Sequence, residues 1–226
     1  MTSASPVPAP AARWMWLGRQ PFEPVAALQE ELRAGVLAGR VPETLLLVEH
    51  DPVITLGRSA DPAHVLASSG ELARRGVAVA QASRGGDVTY HGPGQLVGYP
   101  VVRLRSGVVG HLRAMADGLA VLLAELGITA RWRREAPGLW VERDGRRAKI
   151  CAFGVNVQHR ITVHGFALNV SSDLDAFRLI VPCGLRGVET TSIQQLTGTT
   201  PSLEALADRV AACFAASFGL PFARAI

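Results

Sequence analysis

The apolar residues of this chain recur at two spacings, one typical of helices and one typical of strands. A spacing of three or four positions predicts helices over residues 24–39, 108–126 and 201–218. Short apolar runs predict strands over residues 44–48, 53–56, 95–102, 138–141, 150–157 and 161–170. The Asp144-Gly145 pair predicts a hairpin turn between two of these strands. The pattern as a whole predicts an α+β fold, a single domain whose mixed β-sheet is packed with α-helices.

The last predicted helix also accounts for one of the three cysteines. We expect Pro201 at its first position and Thr200 as its N-terminal cap. Apolar side chains fall on one face of this helix at Leu203, Leu206, Val210, Cys213 and Phe214. Cys213 is therefore predicted to be a small core residue, which is the common role of a free cysteine.

Length and composition indicate a globular protein with one folded unit. The 226 residues are 48% hydrophobic and 19% charged, which suits a single domain with a sizeable core. Residues 1–12 are mostly Pro, Ala and Ser, so we expect a disordered tail there and a catalytic domain over residues 13–226. The tail lacks the basic start and Leu-rich stretch of a signal peptide. No apolar run approaches the ~20 residues that cross a bilayer. We therefore expect a cytoplasmic protein that does not contact membranes.

Charge and cysteine content narrow the expected partners. The formal net charge is +4 without any run of basic residues, which argues against nucleic-acid binding and suits an acidic protein partner. No two of the three cysteines have CxxC spacing, so we expect reduced thiols. The histidines show no metal-ligand spacing to one another or to the cysteines, and no metal site is predicted. No apolar stripe is left uncovered, which predicts a monomer.

Lys149 is the single lysine among 23 basic residues. A bias that makes nearly every cation an arginine leaves two interpretations of the remaining lysine. Either one codon survived by chance, or the position needs a titratable amine. Arginine does not lose its proton near neutral pH, whereas a desolvated lysine does.

A glycine-rich segment, Arg84-Gly85-Gly86-Asp87-Val88-Thr89-Tyr90-His91, leads into Gly92-Pro93-Gly94-Gln95. Its four glycines permit close approach of the backbone to a ligand, and its Arg, Thr, Tyr and His supply donors. It lacks the Gly-Lys-Ser/Thr ending of a phosphate loop and does not match the dinucleotide fingerprint. A hairpin turn that binds nothing is the alternative interpretation, and Asp87 then caps the turn or pairs with Arg84.

Two further segments are candidates for chemistry. Cys183, in Pro182-Cys183-Gly184-Leu185, follows an apolar run and sits in a turn-forming context. A free thiol has a pKa near ~8.5, so a nearby amine such as Lys149 is needed to generate thiolate at neutral pH. From spacing alone, an inert buried thiol is the default interpretation of Cys183. In the segment 164–170, Gly165 and Ala167 are small strand residues that leave room for a chain-like ligand, and His164 alone suits a structural role.

Together these segments resemble one family, the lipoyl(octanoyl)transferases, which begin protein lipoylation. The matching stretches are Arg84 to Gln95, Lys149-Ile150-Cys151-Ala152-Phe153-Gly154, His164 to Val170 and Pro182-Cys183-Gly184-Leu185, with His50 to Arg58 as an earlier motif. The resemblance covers residues 44–196. It implies a fold shared with biotin and lipoate protein ligases.

The resemblance also implies a reaction, its partners and its site residues. An octanoyl group passes from octanoyl-acyl carrier protein to a lysine of the lipoyl domains of 2-oxoacid dehydrogenase complexes or of the glycine cleavage H protein. Cys183 forms an acyl-enzyme thioester, and Lys149 lowers its pKa and shuttles protons, with no cofactor. The acyl pocket is implied to be lined by Arg84, Gly85, Gly86, Asp87, Val88, Thr89, Tyr90, His91, Ala152, Phe153, Gly154, Gly165, Phe166 and Ala167.

The residue types agree with this chemistry but leave two other functions open. An exchange of thioesters needs no ATP, and an oxyanion needs about two backbone amides, from an Ala152–Gly154 turn or the Cys183–Gly184 peptide. An ATP-dependent lipoate or biotin ligase shares the fold but needs a phosphate-facing loop rather than a cysteine. A non-catalytic lipoyl-binding or regulatory protein would keep acyl affinity without Cys183.

Overall fold

The computed structural model describes residues 12–143, 145–182 and 189–225. Within these ranges the strands are β1 (Ala12–Gln20), β2 (Thr44–His50), β3 (Val53–Leu56), β4 (Ala78–Gln81), β5 (Val88–His91), β6 (Gln95–Val101), β7 (Arg131–Trp132), β8 (Gly138–Arg143), β9 (Arg146–Gln158), β10 (Ile161–Asn169), β11 (Glu189–Thr190) and β12 (Phe222–Arg224). The α-helices are α1 (Phe22–Leu37), α2 (Ser69–Arg74), α3 (Gly107–Glu125), α4 (Ile193–Thr197) and α5 (Leu203–Phe218). Short 3-10 helices span Pro62–His64 and Leu174–Leu179.

Most strands join one mixed sheet in the order β12-β1-β2-β6-β10-β9-β8-β7, with β11 also paired to β9. The central strands β2, β6, β10, β9 and β8 pair antiparallel, whereas β1 pairs in parallel with β2 and β12. A second sheet has the order β4-β3-β5. Its strand β5 contains the end of the glycine-rich segment, and this segment lies against the first sheet. The predicted α+β fold with a mixed, helix-packed sheet is confirmed.

Helices cover the large sheet on both faces. Leu46 and Val48 of β2 pack with α1, while the alternate residues Leu45 and Leu47 pack with α3 and α5. A strand buried on both faces needs apolar residues at consecutive positions, which explains the unbroken run in β2. The cluster beneath α3 and α5, called the helix core here, holds Met115, Leu119, Leu122, Leu123, Val210, Phe214 and the strand residues Phe166 and Leu168.

The helix ends differ from the prediction in one instructive place. Helix α5 begins at Leu203, and its cap is Ser202, whose hydroxyl accepts a hydrogen bond from the Ala205 amide at 3.1 Å. The predicted start at Pro201 with a Thr200 cap is therefore wrong by two residues. Serine and threonine are both good caps, and the sequence has one on each side of Pro201, Thr200 and Ser202. Cys213 lies in the helix core, as predicted.

Two of the strands that the sequence did not predict, β1 and β5, depend on distant partners. Strand β1 starts at Ala12, inside the predicted tail, and pairs with β12 near the other end of the described chain. Strand β5 occupies Val88–His91, which the sequence had indicated as loop. It pairs antiparallel with β3, and its residues are all buried, with Val88 and Tyr90 in one cluster with Phe177. Pairing across the chain overrides local turn signals at these positions.

Of the described residues, one helix, α3, is long and apolar enough by length and composition to cross a membrane. The sequence was searched for an unbroken apolar run, and α3 has none because His111, Arg113 and Asp117 interrupt its apolar residues. Core helices of soluble proteins pass the same test. Met115 and Leu119 of α3 are fully buried in the helix core, so packing accounts for this part of its apolar surface.

Candidate active site

A cavity of about 440 Å³ lies where the glycine-rich segment meets β9 and β10. Among the residues implied by the resemblance, all the described ones except Tyr90 line this cavity, and so does Lys149. Tyr90 instead packs edge-on against Phe177, with ring centroids 5.7 Å apart. Alternation along β5 turns Tyr90 away from its neighbours Thr89 and His91. Cys183 lies outside the described residues.

The register of β9 and β10 brings two of the predicted stretches together. Ala152, Phe153 and Gly154 lie directly opposite Ala167, Phe166 and Gly165. Opposite residues share a face of the sheet, so the small pairs Ala152–Ala167 and Gly154–Gly165 are neighbours. The glycine-rich segment joins this ladder through the Gly85 amide, which donates to the Val155 carbonyl at 3.0 Å.

Gly165 has a packing role rather than the space-making role that the sequence suggested. A Cβ at Gly165 would lie 2.3 Å from the Gly98 carbonyl oxygen and 2.6 Å from Pro100 Cδ. Its missing side chain therefore allows β6 and β10 to approach each other. At Gly154 a Cβ would meet Arg84 Cδ at 3.1 Å, so this glycine admits the arginine stem.

Arg84 is a buried cation held by backbone oxygens. Its Nη2 donates to the Thr55 carbonyl at 2.7 Å and to Thr55 Oγ1 at 2.9 Å, and Nη1 donates to the Gly85 carbonyl. Asp87 bonds instead to His64 Nδ1 at 2.5 Å and accepts from the Asp61 amide at 3.0 Å. The suggested Asp87–Arg84 pair is therefore wrong, and the carboxylate fixes the neighbouring loop.

A buried hydrogen-bond network connects His91 to the strand that carries Lys149. Gln95 donates to Asn169 Oδ1 at 2.9 Å, so its oxygen accepts from His91 Nδ1 at 2.7 Å. Asn169 donates to the Thr191 carbonyl, and the Thr191 amide donates to the Lys149 carbonyl at 3.0 Å. Burial, chiefly, lowers the pKa of His91 to about 3, so the ring is neutral at physiological pH.

Two polar residues complete the wall: Tyr99, which the sequence did not single out, and His164, to which the sequence assigned a structural role. His50 donates to the Gln20 carbonyl from Nδ1, so its Nε2 accepts from the Tyr99 hydroxyl at 2.8 Å. His164 Nε2 lies 2.9 Å from Ser83 Oγ, and burial lowers the pKa of His164 to about 4. The backbone of His164 has φ of +58°, an unusual conformation that often occurs at functional sites. The signal in the sequence that could have identified such wall residues is a polar side chain inside an otherwise apolar strand.

Other lining residues come from elements far apart in sequence. They are Phe22, Arg58, Val97, Val108, Leu112, Glu135, Ala136, Pro137 and Val155. Apart from Arg58, which ends the His50 to Arg58 motif, none of them lies in a matching stretch. The reason is that α1, α3 and the 135–137 loop meet at the cavity only in the folded chain.

Lys149 is buried in β9 and occupies the junction of two pockets. Its Nζ lies 4.8 Å from the centre of the Trp140 ring, a cation–π contact. Beside the main cavity, a smaller pocket is lined by Thr89, Gln95, Lys149, Ala152, Ala167, Asn169, Phe177, Pro182 and Thr190. Pro182 immediately precedes Cys183 in the sequence, and Thr190 lies directly opposite Lys149 in the β9–β11 pairing. The chain on both sides of residues 183–188 is thus anchored beside Lys149.

The two described cysteines are unsuited to nucleophilic chemistry. Cys151 is fully buried, and desolvation raises the pKa of its thiol. Burial also raises the pKa of Cys213 in α5. A thiolate is the reactive form, so both thiols are held in the unreactive state. Over the ranges that the structure describes, no three His, Cys, Asp or Glu side chains are grouped to hold a metal ion.

Comparison with known proteins places this architecture among enzymes of lipoylation. The model of the lipoyl protein ligase A/B catalytic domain matches residues 21–215. The octanoyltransferase of Chloroflexus aurantiacus is 44% identical over 209 residues, covering 91% of this chain and 93% of that protein. That of Geobacter metallireducens is 46% identical over 185 residues, covering 80% and 82%. The resemblance identified from the motifs is confirmed.

Solved structures show the same fold at low sequence identity. Lipoate-protein ligase A bound with ATP superimposes with a TM-score of 0.74 at 16% identity, covering 95% of this chain and 88% of that one. The bipartite lipoate protein ligase of Thermoplasma acidophilum gives 0.71 at 14% identity, covering 95% and 86%. A biotin protein ligase from Aquifex aeolicus, in complex with biotin and ATP, gives 0.53 at 12%, covering 92% and 70%.

Proposed function

The chain belongs to the lipoyl protein ligase A/B catalytic-domain family, and we propose that it transfers an octanoyl group through a cysteine thioester. The donor is octanoyl-acyl carrier protein. The acceptor is a lysine of a lipoyl domain, in 2-oxoacid dehydrogenase complexes or the glycine cleavage H protein. The relatives at 43–46% identity are octanoyltransferases, which supports the acyl group and the reaction class.

The observation that carries this proposal is the placement of Lys149 and Pro182 in one small pocket beside the cavity. Consecutive Cα atoms are about 3.8 Å apart, so Cys183 begins one residue from that pocket. The sequence neighbour of Cys183 thus shares a pocket with Lys149 beside the acyl cavity, which supports a thiol and an amine acting together. We therefore assign Cys183 as nucleophile and Lys149 as its base.

In the first step, Lys149 takes the thiol proton and Cys183 Sγ attacks the carbonyl carbon of the donor thioester. The carbon–sulfur bond to the carrier breaks, and the carrier thiolate leaves with the proton that Lys149 held. One thioester replaces another, so no ATP is consumed. The step needs an amine that gains and loses a proton, which arginine does not provide.

In the second step, the amine of the acceptor lysine attacks the acyl-enzyme thioester. An amide bond forms, the bond to Cys183 Sγ breaks, and Lys149 accepts the proton from the amine and returns one to the thiolate. An oxyanion forms at the carbonyl in each step and requires backbone donors. Ala152–Gly154 lies in β9 rather than in a turn, and the Phe153 amide already donates to the Pro137 carbonyl. The Cys183–Gly184 peptide remains the proposed source.

The cavity suits a medium-length acyl chain. Its volume of about 440 Å³ lies within the usual range for small-molecule sites. Burial of about seven methylene or methyl groups at ~0.8 kcal/mol each contributes roughly 5 kcal/mol to binding. Two fewer carbons would weaken binding by only about 1.6 kcal/mol, so the shape of the cavity must set the length limit.

Intact-protein mass spectrometry tests the route. The protein is mixed with octanoyl-acyl carrier protein and no ATP, beside the Cys183→Ser and Lys149→Arg variants. We expect one octanoyl adduct on the wild type, labile to hydroxylamine, absent from Cys183→Ser and at least a hundredfold slower in Lys149→Arg. Octanoate used only with ATP would instead establish a ligase. Acyl binding without any transfer would establish a non-catalytic protein.

A further inference from the structure

A groove rich in arginine and tryptophan lies along the edge of the large sheet, next to the cavity. Its lining residues are Thr129, Arg131, Trp132, Arg133, Trp140, Val141, Glu142 and Arg147. Strand β7 is the end strand of the sheet order, and β8 and β9 follow it. This Arg/Trp groove takes no part in the chemistry described above, and its residues do not line the acyl cavity.

The groove is connected to Lys149 through the strand register. Arg131 lies opposite Trp140, and Trp140 lies opposite Lys149. Opposite residues project from the same face, so the three side chains form a row across β7, β8 and β9. With strands about 4.8 Å apart, Arg131 lies about 10 Å from Lys149. Trp140 lines the groove while its ring contacts Lys149 Nζ.

Charge is concentrated around this groove. The segment 131–147 contains six arginines and three acidic residues, so its net charge of +3 is most of the chain's +4. Arg147 pairs with Glu142 at 3.7 Å and Arg133 with Glu135 at 2.7 Å. Both pairs are solvent-accessible, and such pairs neutralise little. In the described ranges Arg131 has no carboxylate within ion-pair distance. The groove therefore presents positive charge at the edge of the site.

We propose that the Arg/Trp groove docks the acyl donor, an acidic carrier protein that holds its thioester on a phosphate-linked arm. This inference rests on the proposed function. Arginines bind phosphate and carboxylate groups, and exposed positive charge accelerates encounter with an acidic partner. The row from Arg131 to Lys149 places the groove about 10 Å from the amine that serves the thioester. An acceptor lysine is itself cationic, so arginines beside its path would repel it.

The test compares two octanoyl donors. One is octanoyl-acyl carrier protein, and the other is octanoyl-pantetheine, which has no protein and no phosphate. Single-turnover formation of the acyl-enzyme is followed by mass spectrometry for the wild type and for the double variant Arg131→Glu/Arg147→Glu. The matched control is Arg40→Glu, an exposed arginine in the loop between α1 and β2. Melting temperatures establish that all variants are folded.

We expect the double variant to need at least tenfold more carrier-linked donor for half-maximal rate, with octanoyl-pantetheine changed less than twofold. Arg40→Glu should match the wild type with both donors. An unchanged requirement for the carrier in the double variant would overturn the groove assignment, and so would an equal loss with both donors or a loss confined to the acceptor step. Failure of the wild type to form an acyl-enzyme from either donor would contradict the proposed function itself, rather than the groove assignment alone.

Discussion

The acyl cavity and the helix core lie against the same two strands, β9 and β10. They differ in whether their buried polar side chains have hydrogen-bond partners. In the cavity wall, His91 and His164 each have a hydrogen-bond partner, at 2.7 and 2.9 Å. Beside the helix core, His111 of α3 is equally buried, but its Nε2 has no partner within the described ranges. Its ring contacts Phe218 edge-on, with centroids 5.2 Å apart.

The difference reflects what fills each space. Apolar side chains fill the helix core, where Phe166 packs on Phe214 with ring centroids 5.5 Å apart, so packing alone fixes their positions. The cavity must stay open for a ligand, and its walls cannot be fixed by packing across the gap. Hydrogen bonds to neighbouring strands hold its polar residues instead. Changes to the two regions should therefore affect different properties, which three substitutions test.

The largest effect is expected from filling the cavity. Ala152 lines both the main cavity and the small pocket of Lys149 and Pro182, and it is only partly buried. In Ala152→Leu, three added carbons occupy space that both pockets border. We expect octanoyl transfer to fall about a hundredfold, which corresponds to ~2.7 kcal/mol, with the melting temperature nearly unchanged.

Acyl-length kinetics provide the control for that substitution. A butanoyl donor places fewer carbons beyond Ala152, so its transfer should fall much less than octanoyl transfer. Equal losses for both donors would mean that the larger side chain in Ala152→Leu disturbs Lys149 rather than the acyl path. A large drop in melting temperature would mean that the cavity wall depends on packing after all.

The second effect concerns the contact between β6 and β10, on which both regions depend. In Gly165→Ala the new Cβ meets the Gly98 carbonyl, a backbone atom that cannot move aside by changing rotamer. We expect the free energy of unfolding to fall by about 1–3 kcal/mol, measured by urea denaturation. The matched control is Gly85→Ala, where the nearest heavy atom lies at 3.5 Å, an ordinary contact. Equal stability of the two variants would contradict the packing role of Gly165.

The sequence predicted those parts of the fold that have a local pattern. Strand β3 was predicted with the observed bounds, and the apolar face of α5 placed Cys213 correctly. Strand β1 was not predicted, because its position depends on parallel pairing with β2 and β12. Parallel partners are distant in sequence, so no turn signal links them.

The same distinction between local patterns and distant contacts applies to the candidate site. Contiguous motifs gave most of the cavity lining, but they included Tyr90, which strand alternation turns away from the cavity. Motifs also omitted Phe22 and Tyr99, which reach the cavity from α1 and β6. Such residues become neighbours only through tertiary packing. Physical patterns along one chain therefore find the segments that form the site more readily than the orientation of each side chain.

The smallest effect, on pH dependence, tests the unpartnered histidine beside the helix core. Burial lowers the pKa of His111 to about 4, below the value of 6.5 for a solvated histidine. Between pH 6.5 and 4 the unfolded chain therefore binds more protons at this position than the folded chain. The contribution of neutral His111 to the free energy of unfolding is fully present above pH 6.5. It is lost as the pH falls from 6.5 to 4.

Replacing His111 by leucine removes that contribution. We expect the loss in free energy of unfolding between pH 7 and 5.5 to be about 1 kcal/mol smaller in His111→Leu than in the wild type. Urea denaturation at both pH values measures it. Parallel pH dependences would show that the ring has a partner for its proton, and the contrast between cavity and helix core would then not hold.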